Sequence, residues 1–465
     1  MNEFKVAFLD DGLNTNLLSG LQKVELYTVK DGRVAVCSNG NKGSEITHGT
    51  ICVKIFEQSV KVKVHIISVE ILDSKKRCSA DKLITALQWV RQMEIKIINL
   101  SLGTSFFQDE MILRRCVNQL AQEGHIIVAA QNNNSFVTYP AAFTNVIGVS
   151  ASPQNQDILL NTEYKFDGIE LFGKSEHDIE VQGNKIVTQH ASSFATPYIT
   201  AIVSNLYQDG QNVWEIKQKL CLLCGVGHLE LRKFDWCSRA VILQSRSFRF
   251  EDRCFCFEVV QNYFFDEIKS KAEDIKDIFT QRIADTLIIA GNCEIINDWI
   301  KKEGASVPYK LMIHDDVRPV SKTVCLERTF RIFRQDFGKI FIDEQIENLD
   351  IPVVIIYYDN KKEIVKNMVK TNQEFADNGY HCKIFMDSAA GVLYGFEYCG
   401  EAFRIKEYIE FHFVDLIIIL IDMDHKMQEL DSDLNLRYGV SKDFKLNLLP
   451  NVEYRDIYEY IEEQL

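Results

Sequence analysis

The segment Val6-Ala7-Phe8-Leu9-Asp10-Asp11-Gly12 decides the architecture of the amino-terminal part of this chain. Its apolar residues run directly into two carboxylates and a glycine, as in a strand that is buried on both faces of a parallel sheet. Between further runs of this kind, stretches such as Ala80–Met93 and Met111–Ala121 carry apolar residues at helical spacing. The further runs are Ile66–Leu72, Ile97–Leu100, Ile126–Ala130 and Val146–Ser150. This alternation predicts an α/β fold with a doubly wound parallel sheet, whose ligands bind beyond the carboxyl ends of the strands.

The carboxyl-terminal part of the chain has a pattern of the same type. Its apolar runs extend from Thr286–Ala290 to Leu416–Ile421, and Lys361–Asn378 between them has the period of an amphipathic helix. We therefore expect a first domain over residues 1–245, a connecting strand and helix segment over 246–282, and a second, Rossmann-like α/β domain over 283–465.

The overall charge and the cysteines restrict the class of protein. With 52 Lys and Arg against 66 Asp and Glu, the formal net charge is −14, which argues against a general binder of nucleic acids or anionic membranes. The 13 cysteines are odd in number and many lie in apolar runs, as free buried thiols do in a reducing compartment. Met1–Lys5 lacks the features of a signal peptide, and Leu416–Ile421 is too short to span a bilayer. We expect a cytoplasmic protein that is not inserted in a membrane.

Hydrolysis of a peptide bond by a serine needs a nucleophile, a base, an acid that orients the base, and a donor to the oxyanion, and the first domain has one candidate residue for each. Asp10 ends a buried strand, where a carboxylate is held rigidly, and His48 precedes a glycine in Ile46-Thr47-His48-Gly49-Thr50. Asn132 follows the run that ends at Ala130, and Ser193 lies at a predicted helix start in Ala191-Ser192-Ser193-Phe194-Ala195-Thr196-Pro197. Taken singly, Asp10 also suits an ordinary strand-end turn, and His48 also suits a structural role.

The chain resembles the subtilase family of serine peptidases in the order of these four residues, Asp10, His48, Asn132 and Ser193, and in the motifs around them. Ile98-Asn99-Leu100-Ser101-Leu102-Gly103 is similar to the family's substrate-binding strand, and Tyr139-Pro140-Ala141 is similar to the segment after its oxyanion asparagine. The resemblance extends from residue 4 to about residue 240, roughly half of the chain. It implies a subtilisin-like first domain.

The resemblance also implies roles for individual residues. Asp10, His48 and Ser193 would form the catalytic triad, and the Asn132 amide would donate to the oxyanion. The segment expected to pair antiparallel with the backbone of the substrate is Ser101, Leu102 and Gly103. The segment expected to line the pocket for the residue before the scissile bond is Ala129, Ala130 and Gln131. The alternative for these six residues is ordinary strand packing.

Three positions depart from the family pattern. Ala191, before the nucleophile, and Gln131, before the oxyanion asparagine, occupy positions where the family usually has glycine. Ile51 occupies the position after His48-Gly49-Thr50 where the family often has a second histidine. An added Cβ at residues 191 and 131 narrows the space near the catalytic centre, so we expect unusual specificity. Ser192 is a conceivable nucleophile, but the register to Pro197 favours Ser193.

The predicted function is that of an intracellular serine endopeptidase that acts on a peptide or precursor protein. The strand that carries Asp10 begins at about residue 4, so we expect no inhibitory propeptide, and restraint must come from narrow specificity. These features resemble subtilases that remove leader peptides in ribosomal peptide natural-product pathways. The alternatives are a peptide-binding scaffold without activity and a protease regulated by an effector.

Weaker signals lie outside the triad. Cys221-Leu222-Leu223-Cys224 has the spacing of a metal site, but its apolar surroundings favour buried structural cysteines over a metal or redox pair. We predict no metal and no cofactor, and the sequence is silent on calcium. The second domain carries no phosphate-binding glycine motif, and it is expected to recognise a protein or peptide partner, with a regulator site or a structural role as alternatives.

Overall fold

The computed structural model describes most of the chain. The described residues are 4–18, 22–37, 45–161, 167–181, 183–227, 233–248, 250, 253–291, 297–303, 307, 309–314, 329–333, 349–398, 405–424, 432–440, 449–452 and 457–465. The chain divides into two compact units, Met1–Leu229 and Glu230–Leu465.

The boundary between the units differs from the predicted one at residue 245. Arg239–Gln244 is a strand that pairs in parallel with Glu258–Phe264 and with Thr286–Ala290. The segment 246–282, expected to connect two domains, therefore lies within a sheet region of the second unit. Backbone pairing between distant residues, such as Ala240 with Thr286, decides this, and local sequence patterns do not reveal it.

The first unit is built on a nine-stranded sheet of spatial order β3-β2-β4-β1-β5-β6-β7-β9-β8, in which only the two outermost pairs are antiparallel. Its strands are β1 (Phe4–Asp10), β2 (Lys23–Lys30), β3 (Arg33–Val36), β4 (Val64–Glu70), β5 (Ile95–Leu100), β6 (Ile126–Ala130), β7 (Ile147–Ala151), β8 (Ile158–Leu160) and β9 (Leu171–Gly173). A hairpin of β10 (Asp178–Val181) and β11 (Asn184–Val187) follows. The helices are α1 (His48–Ser59), α2 (Ala80–Gln92), α3 (Glu110–Gln122), α4 (Ser192–Leu206) and α5 (Val213–Leu223). The predicted α/β class is confirmed.

Strand β1 lies in the interior of this sheet, between β4 and β5. Its residues Val6–Leu9 are at most 1% exposed, which explains why they form an unbroken apolar run. The chain order reverses here, because β4 and β2 lie on one side of β1 and β5, β6 and β7 lie on the other. Parallel strands end at the same edge, so the carboxyl ends of β1, β5 and β6 meet at this switch point.

The second unit contains two five-stranded parallel sheets. The first has the order β13-β12-β14-β15-β16 and the second has the order β19-β18-β20-β17-β21. The strands are β12 (Arg239–Gln244), β13 (Glu258–Phe264), β14 (Thr286–Ala290), β15 (Tyr309–His314), β16 (Thr329–Phe333), β17 (Val353–Tyr358), β18 (Cys382–Met386), β19 (Glu397–Tyr398), β20 (Leu416–Asp422) and β21 (Leu434–Tyr438). The helices are α6 (Ile268–Thr280), α7 (Asn297–Glu303), α8 (Lys361–Asp377), α9 (Ile405–Phe411) and α10 (Ile457–Gln464).

Among the residues described, no helix combines the length and the apolar character needed to cross a membrane.

Candidate active site

Asp10 and His48 pair at the switch point of the first unit. Asp10 is the last residue of β1 and is 3% exposed, and His48 is the first residue of α1. His48 Nδ1 lies 2.9 Å from both carboxylate oxygens of Asp10. A carboxylate only accepts hydrogen bonds, so this contact places the proton of a neutral ring on Nδ1. The other nitrogen, Nε2, is then left as an acceptor.

The start of α1 fixes the position of His48. The Asp11 carboxylate accepts hydrogen bonds from the backbone N–H groups of His48, at 3.0 Å, and Gly49, at 2.8 Å. A carboxylate is stabilising at a helix amino terminus. Residue 49 has to be glycine because an added Cβ would lie 2.6 Å from the carbonyl oxygen of Gly12. Sequence reasoning missed this positioning role of Asp11, although Asp11 directly follows the predicted acid.

Ser193 contacts the other ring nitrogen of His48. It is the second residue of α4, and its Oγ lies 3.1 Å from His48 Nε2. The neighbouring Ser192 is 2% exposed, and its backbone N–H donates to Asn133 Oδ1 at 3.0 Å. The structure therefore brings Ser193, and not Ser192, to the base, together with Asp10.

Cys52 lies against His48, one turn further along α1. Its Sγ is 3.7 Å from His48 Nδ1, 3.5 Å from Ser101 Oγ and 3.6 Å from the backbone oxygen of Ser193. Pro197 has no N–H and cannot make the helical hydrogen bond to that oxygen, so the Cys52 thiol donates to it instead. Sequence reasoning missed Cys52. The available signal was its spacing of four residues from His48 on a helix.

The surroundings of His48 raise its pKa above the ordinary value. Cys52, in its thiolate form, and the Asp10 carboxylate both favour the protonated ring, whereas burial lowers the pKa. Burial also raises the pKa of the Cys52 thiol, so this group is uncharged near neutral pH. Asp10 then remains as the negative charge that stabilises the imidazolium.

Asn132 lies two residues beyond β6 and is oriented by its neighbours. Its Oδ1 accepts a 2.7 Å hydrogen bond from the backbone N–H of Asn134, and its own N–H donates to Thr138 Oγ1 at 2.9 Å. Because Oδ1 is occupied by a donor, the amide nitrogen Nδ2 is left to donate elsewhere. Asn132 and Ser193 line the same cavity. The amide can therefore stabilise negative charge that develops beside Ser193.

The cavity beside Ser193 has a volume of about 410 Å³ and is lined by most of the predicted substrate-binding residues. These are Ser101, Leu102, Gly103, Ala130 and Gln131. Ala129 is the exception, because it is fully buried in β6 between Leu100 of β5 and Gly148 of β7. Successive residues of a strand point to opposite faces, so the structure does not bring Ala129 to the cavity wall with Ala130.

Asp10, His48 and Cys52 form the one cluster in the described ranges whose donor atoms, all within 4.8 Å of one another, are spaced for a metal ion. A nitrogen, a sulfur and a carboxylate oxygen suit an ion such as Zn²⁺. An ion at this position would take the Nδ1 of His48 and displace the proton that Asp10 orients. The arrangement therefore favours proton transfer over metal binding.

Comparisons with known proteins agree with this geometry. The model of the subtilase family matches residues 2–224. The minor extracellular protease Epr of Bacillus subtilis (strain 168) is 25% identical over 216 residues, covering 44% of this chain and 32% of that protein. The alkaline elastase YaB of Bacillus sp. (strain YaB) is 25% identical over 210 residues, covering 44% of this chain and 54% of that protein. Thermitase of Thermoactinomyces vulgaris is 24% identical over 233 residues, covering 46% of this chain and 78% of thermitase. The chain thus spans about a third of the first of these relatives and about half of the second.

Two solved structures are similar to part of the chain. One is the crystal structure of a cold adapted subtilisin-like serine proteinase, with a TM-score of 0.36, 20% identity, and coverage of 48% of this chain and 81% of that chain. The other is the Prenylagaramide maturation protease PagA, with a TM-score of 0.34, 19% identity, and coverage of 48% of this chain and 77% of that chain. The resemblance predicted from the motifs is confirmed, because residues 2–224, just under half of this chain, match the model of the subtilase family.

Proposed function

We propose that the first unit is a serine endopeptidase that cleaves a peptide bond through an acyl-enzyme. The observation that carries this proposal is the series of contacts from Asp10 through His48 to Ser193, 2.9 Å and 3.1 Å long. His48 Nε2 accepts the proton of Ser193 Oγ as that oxygen attacks the carbonyl carbon, and Asp10 stabilises the resulting imidazolium.

The proton then passes from His48 to the leaving amine, and the peptide bond breaks. A water molecule, deprotonated by the same ring, releases the acyl group from Ser193. In both steps the carbonyl oxygen becomes negatively charged beside Asn132, whose Nδ2 donates to it.

Labelling with a fluorophosphonate tests the proposal, because this reagent reacts with a serine only when a neighbouring base activates it. The wild-type protein and Ser192→Ala should be labelled, and Ser193→Ala should not be. A scaffold without activity would leave all three proteins unlabelled. Labelling that persists in Ser193→Ala and disappears in Ser192→Ala would reassign the nucleophile.

We further propose that the enzyme processes a dedicated precursor, such as a peptide that carries a leader, and does not degrade proteins generally. This proposal is supported by Gln131, which lines the cavity at a position where the family usually has glycine. The side chain of Gln131 is 5% exposed and is held by two hydrogen bonds, to Ser135 and Asp167. It therefore narrows the cleft in a defined way.

The expected location of this processing is the cytoplasm. Ten cysteines in the described part of the chain, from Cys37 to Cys382, are not joined in disulfides, and reduced thiols persist in a reducing compartment. The second unit, with its parallel sheets, would bind the partner or precursor. Measuring the enzyme in separated cell fractions tests the location.

Digestion of casein tests the restriction to a dedicated precursor. The wild-type protein should label at Ser193 yet leave casein intact, and Gln131→Gly should digest casein faster than the wild type because the wall is opened. Rapid, unselective digestion of casein by the wild-type protein would show that the cleft is not restrictive.

A further inference from the structure

Gln131 presents one particular atom to the cavity beside Ser193. Its Nε2 donates to the backbone oxygen of Ser135 at 3.2 Å and to Asp167 Oδ2 at 3.0 Å. Both partners are acceptors, so the amide cannot be turned around without losing both hydrogen bonds. Its two N–H groups are thus used within the wall. The acceptor Oε1, which has no partner in the described part of the chain, is the polar atom left for a bound side chain.

Asp167 places a carboxylate directly behind this amide. It is 5% exposed, and its two oxygens accept from Gln131 Nε2 and from the backbone N–H of Ile169 at 3.0 Å. Both donors are neutral, and no lysine, arginine or histidine pairs with Asp167 among the residues that the structure describes. A buried carboxylate without a cation creates a local negative potential, because the protein interior screens charge less than water does.

The rest of the cavity suits a polar guest. The walls near Gln131 carry the amides of Asn133 and Asn134 and the hydroxyl of Thr138, and no aromatic residue is among the described residues of the lining. A purely apolar guest would displace water from the Gln131 acceptor without offering it a donor, which is costly. The volume of about 410 Å³ lies within the range of sites that enclose small ligands.

From these contacts we infer that the cavity selects a lysine or arginine as the residue on the amino side of the scissile bond, called here the pre-scissile residue. The cation donates to Gln131 Oε1, and Asp167 acts through Gln131 by fixing the amide and by supplying the negative charge. This inference rests on the proposed function and names its substrate class. The net charge of −14 favours the approach of cationic peptides as well.

Two phosphonate probes that differ in a single group test the inference. Both are diphenyl phosphonates with the same peptide portion, and the pre-scissile side chain is lysine in one and norleucine, which lacks the ammonium, in the other. A hydrogen bond to a charged group contributes about 1.5–3 kcal/mol, so the lysine probe should label Ser193 about 10–100-fold faster. Equal rates, or a faster norleucine probe, would overturn the inference.

Fluorophosphonate labelling separates this failure from a failure of the proposed function. A protein that reacts with fluorophosphonate at Ser193 but prefers norleucine is a peptidase with another specificity. A protein that reacts with neither class of probe lacks the proposed activity altogether.

Two substitutions then test the role of Asp167. Asp167→Asn should lower the ratio of the lysine rate to the norleucine rate about tenfold or more, and its folding is checked by circular dichroism. Asp178→Asn is the matched control, since it removes the same charge from an exposed position of β10 outside the cavity and should leave the ratio unchanged. A ratio that stays the same in folded Asp167→Asn, or falls equally in Asp178→Asn, would remove Asp167 from the selection.

Discussion

His48 has a different neighbour on each side. Asp10 holds Nδ1, Ser193 lies at Nε2, and the Cys52 sulfur lies 3.7 Å from Nδ1. The ring of Phe194 lies with its centroid 5.2 Å from that of His48. Only the rim of the imidazole is open, with 16% of its side chain exposed. The ring therefore has little freedom to leave the line between acid and nucleophile.

The raised pKa of His48 predicts the pH dependence of activity. The ring has to be neutral to take the proton of Ser193, so activity should rise with pH as the ring loses its own proton. Because the Asp10 carboxylate raises this pKa, the acid limb of kcat/KM should lie above the ordinary imidazole value of about 6.5. Rates of a peptide substrate measured across pH check this. In Asp10→Asn the limb should move to lower pH and the rate should fall, and a wild-type limb at or below 6.5 contradicts the prediction.

The orientation of Asn132 predicts a defect confined to the transition state. Asn132→Ala removes the donor to the oxyanion and should lower kcat about 10²–10³-fold with little change in KM. Asn134→Ala is the comparison: it keeps the backbone N–H that orients Asn132 but removes an amide from the cavity wall, so its effect should appear in KM and not in kcat. Steady-state kinetics distinguish the two variants. A rise in KM alone would place Asn132 in substrate binding.

At the scale of elements, one buried lysine joins α5 to the sheet region. Lys217 is 2% exposed, and its Nζ lies 2.6 Å from Glu170 Oε2 and 2.6 Å from the backbone oxygen of Thr144. Thr144 belongs to the segment that runs from the cavity residue Thr138 into β7. The helix therefore holds the segment behind the cavity wall by the hydrogen bond from Lys217 to Thr144, and the same ammonium forms a charge pair with Glu170.

This pair predicts a large loss of stability when one partner is removed. Lys217→Met leaves the Glu170 carboxylate without its cation and should lower the free energy of unfolding by about 3 kcal/mol. Lys219→Met, in the same helix, removes an ammonium bonded to the neutral acceptors Leu206 O and Gln211 Oε1 and should cost about 1 kcal/mol. Urea denaturation measures both values. Equal losses of unfolding free energy in the two variants would show that the Lys217–Glu170 pair contributes no more than the hydrogen bonds of Lys219.

At the scale of the whole molecule, the formal net charge of −14 should attract cationic substrates and speed their association. Exposed charges are screened beyond about 10 Å at 0.1 M salt and beyond about 3 Å at 1 M salt. The labelling rate of the lysine phosphonate should therefore fall several-fold between these salt concentrations, and that of the norleucine probe should stay nearly constant. Labelling rates, measured from samples quenched at fixed times at increasing NaCl concentrations, check this. An identical salt response of the two probes would mean that charge does not guide the substrate.

The sequence alone determined the elements that depend on near neighbours. The apolar run Val6–Leu9 predicts β1 because a strand in the middle of a parallel sheet has to be apolar on both faces. The motifs around Asp10, His48 and Ser193 predict the carboxyl-terminal edge of that sheet as the site, and the structure brings these three residues together there. Helix α4 begins at Ser192, next to the predicted nucleophile, as its motif indicates.

Only the tertiary structure decided contacts between residues that are distant along the chain. His48 and Ser193 are 145 residues apart, and Gln131 and Asp167 are 36 apart. The packing of Cys52 against His48, the exclusion of Ala129 from the cavity wall and the unit boundary at residue 229 likewise became visible only after folding. The physical reason is that periodicity and capping act over a few residues. Strand order, register and the charge of a cavity depend on which distant segments pack together, and no local pattern records that choice.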